Sequence, residues 1–378
     1  MTIDELLRAA VERGASDLHL KAGAPPMMRV RGALLPLPGQ PSLDLEALRR
    51  IAEQVVPSAL RASRADHHDL DFAYTIPGLG RFRGSAFQQR GATGLVFRVI
   101  PLQIASLADL RLPSVLAAIA REERGLVLVT GTTGSGKSTT LAALMDAVNQ
   151  DRAAHIMTIE DPIEFLHEDK RSIINQREIG SDAESFAGAL RSALRQDPDV
   201  IMVGEMRDRD TIETALLAAE TGHLVVSTLH TVDATETINR IVAAFPPHQH
   251  DQVRAQLGSV LKAVISQRLV PTADGQARVP AVEVLINTPL IRGYIVDRDK
   301  TPLIASALSQ GTSQYGMQTF DQSLYDLCQQ RLISVEEALR WATHPDDFVL
   351  RVRGVVSGAA PAPARIDQAP PGISRFGA

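Results

Sequence analysis

The sequence predicts an α/β protein: a small α+β domain over residues 1–100, then a parallel sheet covered by helices, then a helical C-terminal region. Three observations predict it. From Gly125 onward short apolar runs alternate with helical stretches, the texture of strands and crossover helices. Before residue 100, two strand-like runs flank a polar, glycine-containing link, which reads as an antiparallel pair. Beyond about residue 285 the apolar residues recur at helical spacing.

The elements follow in order. Thr2 and Glu5 have capping-box spacing, and Ile3, Leu6, Leu7, Ala10 and Val11 share one helical face that Gly14 can end. Residues 28–35 read as strand with Gly32 in a turn, and residues 81–87 and 95–100 as strands joined by 88–94. Residues 101–112 read as a linker, with Pro113 in the first turn of a helix. The expected core spans 113–284. Its helix at 185–195 carries Phe186, Ala189, Leu190, Ala193 and Leu194 on one face, behind a capping-box pair at Ser181 and Glu184. The helical region is expected at 285–353, with a second such pair at Ser334 and Glu337. The polar stretch 311–319 reads as a loop between helices, Cys328 as a buried helical residue, and the Pro/Ala/Gly-rich 354–378 as a disordered tail.

Composition narrows the function. The 378 residues allow two or three domains. At 44% hydrophobic and 22% charged, the chain is an ordinary globular protein. A net charge of −5 with 4% aromatics offers neither a phosphate-tracking stripe nor many stacking platforms, so a nucleic-acid translocase is disfavoured. The single cysteine excludes an internal disulfide and a four-cysteine zinc site. No apolar run reaches the 18 residues of a membrane span, and the start Met-Thr-Ile-Asp-Glu lacks the basic and apolar regions of a signal peptide. A cytoplasmic protein without direct membrane insertion is expected.

The strongest chemical signal is Gly131-Thr132-Thr133-Gly134-Ser135-Gly136-Lys137-Ser138, a complete G-x-x-x-x-G-K-S phosphate loop. A strand precedes it and a helix, beginning at Thr139, follows. Glycines let backbone N–H groups wrap phosphates, and the helix N-terminus adds positive potential. Lys137 has the reach for β- and γ-phosphates, and the Ser138 hydroxyl suits Mg²⁺. Three further apolar runs end in Glu160-Asp161-Pro162, Gly204-Glu205 and His230. Ligands bind beyond the carboxyl ends of parallel strands, so Glu160, Glu205 and His230 should gather near the loop.

These motifs resemble those of the secretion-ATPase superfamily. Thr158-Ile-Glu160-Asp-Pro-Ile-Glu164 resembles its Asp box, Gly204-Glu205-Met-Arg-Asp208 its Walker B box, and Thr221-Gly-His223 through His230-Thr231 its His box. Gly14-Ala-Ser-Asp-Leu-His19, Gly80-Arg-Phe-Arg83 and Gly316-Met-Gln-Thr319 make the chain similar to the PilT-type ATPases of type IV pilus retraction.

The resemblance implies a PAS-like N-terminal domain, a RecA-like core and a ring-shaped homo-hexamer using ATP and Mg²⁺. It implies Glu160 as general base, Glu205 as support for Mg²⁺ and water, and His223 and His230 as phosphate sensors. It offers Arg81, Arg83 and Arg98 as phosphate-sensing arginines of the N-terminal domain. It places the ring at the cytoplasmic face of the inner membrane, on the platform protein of the pilus machinery, with a paralogous ATPase as a further partner.

Residues 289–298 keep only part of the family's Ala-Ile-Arg-Asn-Leu-Ile-Arg-Glu segment. Leu285-Ile-Asn-Thr-Pro289 and Phe320-Asp-Gln-Ser-Leu-Tyr325 resemble the accessory PilU-like type. A pilus-assembly or type II secretion ATPase is a further reading, opposed by the lack of the tetracysteine insert. An ATP-binding switch that does not hydrolyse is opposed by the intact acids.

Overall fold

The computed structural model describes residues 2–58, 69–100 and 103–354. The chain divides into two compact units, Met1–Gln103 with Glu164–His167, and Ile104–Ile163 with Glu168–Ala378. Residues 101 and 102 of the expected linker, and all of the expected tail except Gly354, lie outside the described residues. The remainder of that linker, from Ile104, groups with the second unit.

The first unit is a six-stranded antiparallel sheet, in order β3-β2-β1-β6-β5-β4. The strands are β1 (Asp17–Leu20), β2 (Met27–Val30), β3 (Ala33–Pro36), β4 (Asp69–Ile76), β5 (Gly80–Gln89) and β6 (Ala92–Ile100). Helices α1 (Ile3–Val11) and α2 (Leu45–Val55) share one core with Leu18, Phe72, Phe82 and Phe97 of the sheet. Thr2 and Glu5 form the capping box of α1. The β5–β6 connection is tighter than its sequence suggests. Gln88 and Gln89 extend β5, Ala92–Gly94 begin β6, and only Arg90 (φ +50°) and Gly91 (φ +76°) turn. Two successive positive φ angles make the two-residue hairpin turn whose twist matches its strands.

The second unit is built on a seven-stranded sheet, in order β13-β12-β7-β11-β10-β8-β9. Its strands are β7 (Gly125–Thr130), β8 (His155–Glu160), β9 (Ile173–Glu178), β10 (Val200–Val203), β11 (Leu224–Leu229), β12 (Leu261–Pro271) and β13 (Arg278–Ile286). Every residue of β7, β10 and β11 is buried, because helices cover a parallel sheet on both faces. The sheet is not parallel throughout. β12 runs parallel to β7, and β13 returns antiparallel to β12 at the edge.

The helices are α3 (Val115–Ile119), α4 (Lys137–Asp151), α5 (Phe186–Ala193), α6 (Arg209–Glu220), α7 (Ala234–Ala243) and α8 (His250–Val260). After the sheet come α9 (Pro289–Val296), α10 (Ile304–Gln310), α11 (Thr312–Tyr315), α12 (Phe320–Gln329), α13 (Val335–Trp341) and α14 (Pro345–Val352). The last three pack Phe320, Leu324 and Phe348 against Val270 and Val279 of the edge hairpin.

Some local expectations shift. Pro113 precedes α3, which begins after Ser114. α5 is capped by Ser185, which accepts from the Gly188 N–H, and not by Ser181. Ser334 does cap α13. The 311–319 stretch contains the short helix α11, and its Gln318 bridges to Val284 of β13. Cys328 is helical but only half-buried.

Candidate nucleotide site

The glycine-rich loop leaves β7 at Thr130 and enters α4 at Lys137. Its glycines are dictated by space as well as by torsion. A Cβ at Gly131 (φ +145°) would lie 2.5 Å from the Gln267 carbonyl and from Ser135 Oγ. One at Gly136 (φ +90°) would lie 2.7 Å from Gln267 Nε2. Gln267 of β12 is thus the wall behind the loop, and it accepts from Thr140 Oγ1 at 2.7 Å, which ties β12 to α4.

The Lys137 ammonium lies inside the loop, donating to the Gly131 and Thr132 carbonyls at 2.8 and 2.9 Å. Ser135 Oγ is buried with no hydrogen-bond partner among the described residues. Thr133, Gly134, Ser138 and Thr139 complete the loop and the first turn, where helix N–H groups have no intrahelical partner. A cradle that any Cβ would obstruct, a cation inside it, a spare hydroxyl and a helix N-terminus fit the phosphates of a nucleotide.

Strand polarity brings Glu160, Glu205 and His230 to the same sheet edge. β8, β10, β11 and β7 are successive parallel neighbours, with Val203 paired to Ile159 and Ser227, and Leu229 paired to Thr130. Gly204 is the contact between β8 and β10. Its N–H donates to the Ile159 carbonyl at 2.8 Å, and a Cβ there would meet Glu160 Cα at 3.5 Å. Thr228 Oγ1 of β11 donates to the Gly204 carbonyl at 2.6 Å.

Glu160 is 7% exposed, and its Oε1 accepts from Thr158 Oγ1 at 2.6 Å and Gln176 Nε2 at 3.1 Å. These donors fix the carboxylate at the end of β8. Glu205 Oε2 lies 2.6 Å from Arg207 Nε and 3.5 Å from His230 Nε2. The structure therefore couples the Walker B-like acid to the His box directly.

His223 is not at this edge. It precedes β11, and its carbonyl accepts from the Gly125 N–H at the start of β7. Its Nδ1 lies 2.9 Å from the Ala218 carbonyl at the end of α6. The length of β11 separates it from His230, about 20 Å at 3.3 Å per residue. Within one chain, His223 and the phosphate loop occupy opposite ends of the sheet.

Arg81, Arg83 and Arg98 belong to the first unit. Arg83 and Arg98 face each other across β5 and β6, and Arg81 precedes Arg83 by two residues on the same face. Arg98 Nε donates to Asp17 Oδ1 at 2.9 Å, and Arg83 lies 3.8 Å from Asp71. Burial pushes the Asp17 carboxyl upward, but hydrogen bonds from Ser16 and Arg98 outweigh it and hold the group below its ordinary range.

Gln267 and Gln176 escape the motif reading, and Thr158, though inside the Asp-box-like segment, carries no role in it. The signal for Gln267 is polarity where it is costly: Ser266 and Gln267 interrupt an apolar strand, and both are buried.

The chain belongs to the type II/IV secretion system protein family, whose model matches residues 88–332. It is 47% identical over 348 residues to the type IV pilus retraction ATPase PilT of Pseudomonas aeruginosa, covering 92% of this chain and 100% of that one. It is 44% identical over 353 residues to the type IV pilus ATPase PilU of the same organism, covering 93% and 92%. A crystal structure of the pilus retraction motor PilT with bound ADP superposes with a TM-score of 0.85 at 44% identity, covering 92% of this chain and 98% of that one. The α/β class read from the sequence is the class of that structure and of this chain.

Proposed function

We propose that this chain is a motor ATPase that couples Mg·ATP hydrolysis to retraction of a type IV pilus, working as a homo-hexamer on the platform protein at the cytoplasmic face of the inner membrane. The observation that carries the reading is the shared sheet edge. The phosphate loop, Glu160, Glu205 and His230 lie at the carboxyl ends of four adjacent parallel strands. The likeness to PilT over nearly the whole chain supplies the pilus context.

In this reading Gly131 to Thr139 hold the phosphates, and Ser138 and Glu205 hold Mg²⁺. Glu160 orients the attacking water and accepts its proton. His230 reports the γ-phosphate to Glu205 through their contact. Arg81, Arg83 and Arg98 are phosphate-sensing groups of the first unit. His223 takes part only if it meets the nucleotide of another subunit.

Steady-state ATP turnover tests the site. Lys137→Ala should lower turnover by about 100-fold or more, as loss of a preorganised charge at the reacting phosphate does. Full activity in that variant overturns the assignment. Glu160→Gln should still bind ATP while hydrolysing it poorly. Normal hydrolysis with weakened binding removes Glu160 from the base role.

A second reading, an accessory PilU-like retraction ATPase, is favoured by the divergent segment 289–298 and by a PilU identity only slightly below that of PilT.

A further inference from the structure

Beside the loop that carries Glu205, the second unit holds a cavity of about 220 Å³. That is far above the roughly 15 Å³ one water molecule requires. Its wall carries three arginines, Arg207, Arg209 and Arg240, over an apolar floor of Met206, Ile212 and Leu229. No carboxylate lines it. The fold assembles the three from separate places: Arg207 from the loop after β10, Arg209 from the first residue of α6, and Arg240 from the last turn of α7.

The guanidinium groups are unequally engaged. Arg207 Nε holds Glu205. Arg209 donates to Gln249 Oε1 at 3.3 Å, lies 3.8 Å from Glu213 and sits 5.6 Å from the Phe245 ring centre. Arg240 has no hydrogen bond or ion pair among the described residues. Guanidinium is weakly hydrated and forked, so it pairs with oxyanions in two-pronged fashion. The apolar floor of Met206, Ile212 and Leu229 gives the recess its shape, while the arginine head groups stand at its rim. Arg207 and Arg209 each have a carboxylate nearby, so Arg240 is the guanidinium that an entering anion would neutralise.

We propose that this cavity binds a phosphate-class oxyanion, either free inorganic phosphate or the phosphate of a second nucleotide, at a site separate from the glycine-rich loop. Through Arg207, the occupant shares a guanidinium with Glu205.

The test is equilibrium dialysis of radiolabelled inorganic phosphate against the full chain at constant ionic strength. In one arm the loop is first filled with ADP. In the other, Lys137→Ala disables the loop. Both arms should retain one phosphate per chain. Arg240→Gln, an exposed change on α7, should weaken that binding tenfold or more while leaving ADP affinity at the loop unchanged. Arg209→Gln should act in the same direction. ADP binding beyond one equivalent that is lost in Arg240→Gln marks the nucleotide as the source. Phosphate binding alone marks the free ion. Phosphate binding that disappears in both arms, or that is equal in wild type and Arg240→Gln, overturns the proposal. A wild type that fails to bind ADP overturns the nucleotide-site reading, and the Lys137→Ala arm still decides the cavity.

Discussion

Glu283 of β13 shows how far a single buried group can set the behaviour of the chain. Burial pushes its carboxyl up to about 7. The Ala234 N–H at the start of α7, 2.9 Å away, and the Arg268 charge oppose the rise, while Asp233 and Asp321 add to it. Unfolded, the group titrates near its ordinary value of 4.5. Between those values the folded chain therefore binds more protons than the unfolded one, so stability falls as pH rises through the window. Above it the cost is complete, on the order of 3 kcal/mol. Glu283→Gln keeps an oxygen for Ala234 and removes the charge. It should be nearly neutral at pH 5 and should raise the melting temperature at pH 8. An equal difference at both pH values would show that Glu283 is ionised in the folded state throughout. None of this was legible in the sequence. Glu283 sits among apolar residues as one acid in a strand, and only its neighbours from β12, α7 and α12 give it chemistry. Glu160, Glu205 and His230 are the opposite case: each ends an apolar run, so strand polarity alone predicts their common edge.

At the scale of elements, two close contacts carry predictions. Arg254 of α8 is 5% exposed and donates to the Ile295 carbonyl at the end of α9 and to Thr301 Oγ1, both at 3.0 Å. Burial pulls its pKa below the ordinary arginine value, yet no carboxylate lies within ion-pair distance among the described residues. Arg254→Ala leaves two buried acceptors without donors and opens a void, a loss of about 2–4 kcal/mol. Lysine should not rescue it, because one ammonium cannot reproduce the planar fork. Urea midpoints of the three proteins check this, and an unchanged midpoint for Arg254→Ala would show that the α8–α9 junction does not depend on it. In the first unit, a Cβ at Gly84 would fall 2.3 Å from the Phe72 ring. Gly84→Ala must displace that ring and should cost about 1–3 kcal/mol.

Elements with clear punctuation were legible, and those without it were not. Thr2 and Ser334 announce their helices by capping spacing, and Gly125 announces β7. β12 announces nothing: Leu261 follows Val260 of α8 with no glycine or proline between them, so helix and strand merge into one apolar stretch. β9 reads Ile-Ile-Asn-Gln-Arg-Glu and lies at the sheet edge, where one side needs no apolar cover.

At the scale of the whole molecule, retraction is a property of the machine the chain drives, and the cell reads it out. The proposed catalytic edge would serve a motor that extends, retracts or assists alike. In the C-terminal region, α9 departs from the retraction pattern while retaining Leu290 and Val296 as exposed apolar residues. Among the described residues no helix is long and apolar enough to cross a membrane. A chromosomal deletion, scored together for surface pili and twitching, therefore reads the property that the site cannot. Retraction predicts abundant pili and lost motility, because fibres assemble and cannot be withdrawn. Bare cells would assign the chain to assembly. Normal pili with merely weakened motility would assign it the accessory role. Complementation with Lys137→Ala should restore none of the lost motility, since the proposed work is drawn from the same phosphate loop in every case.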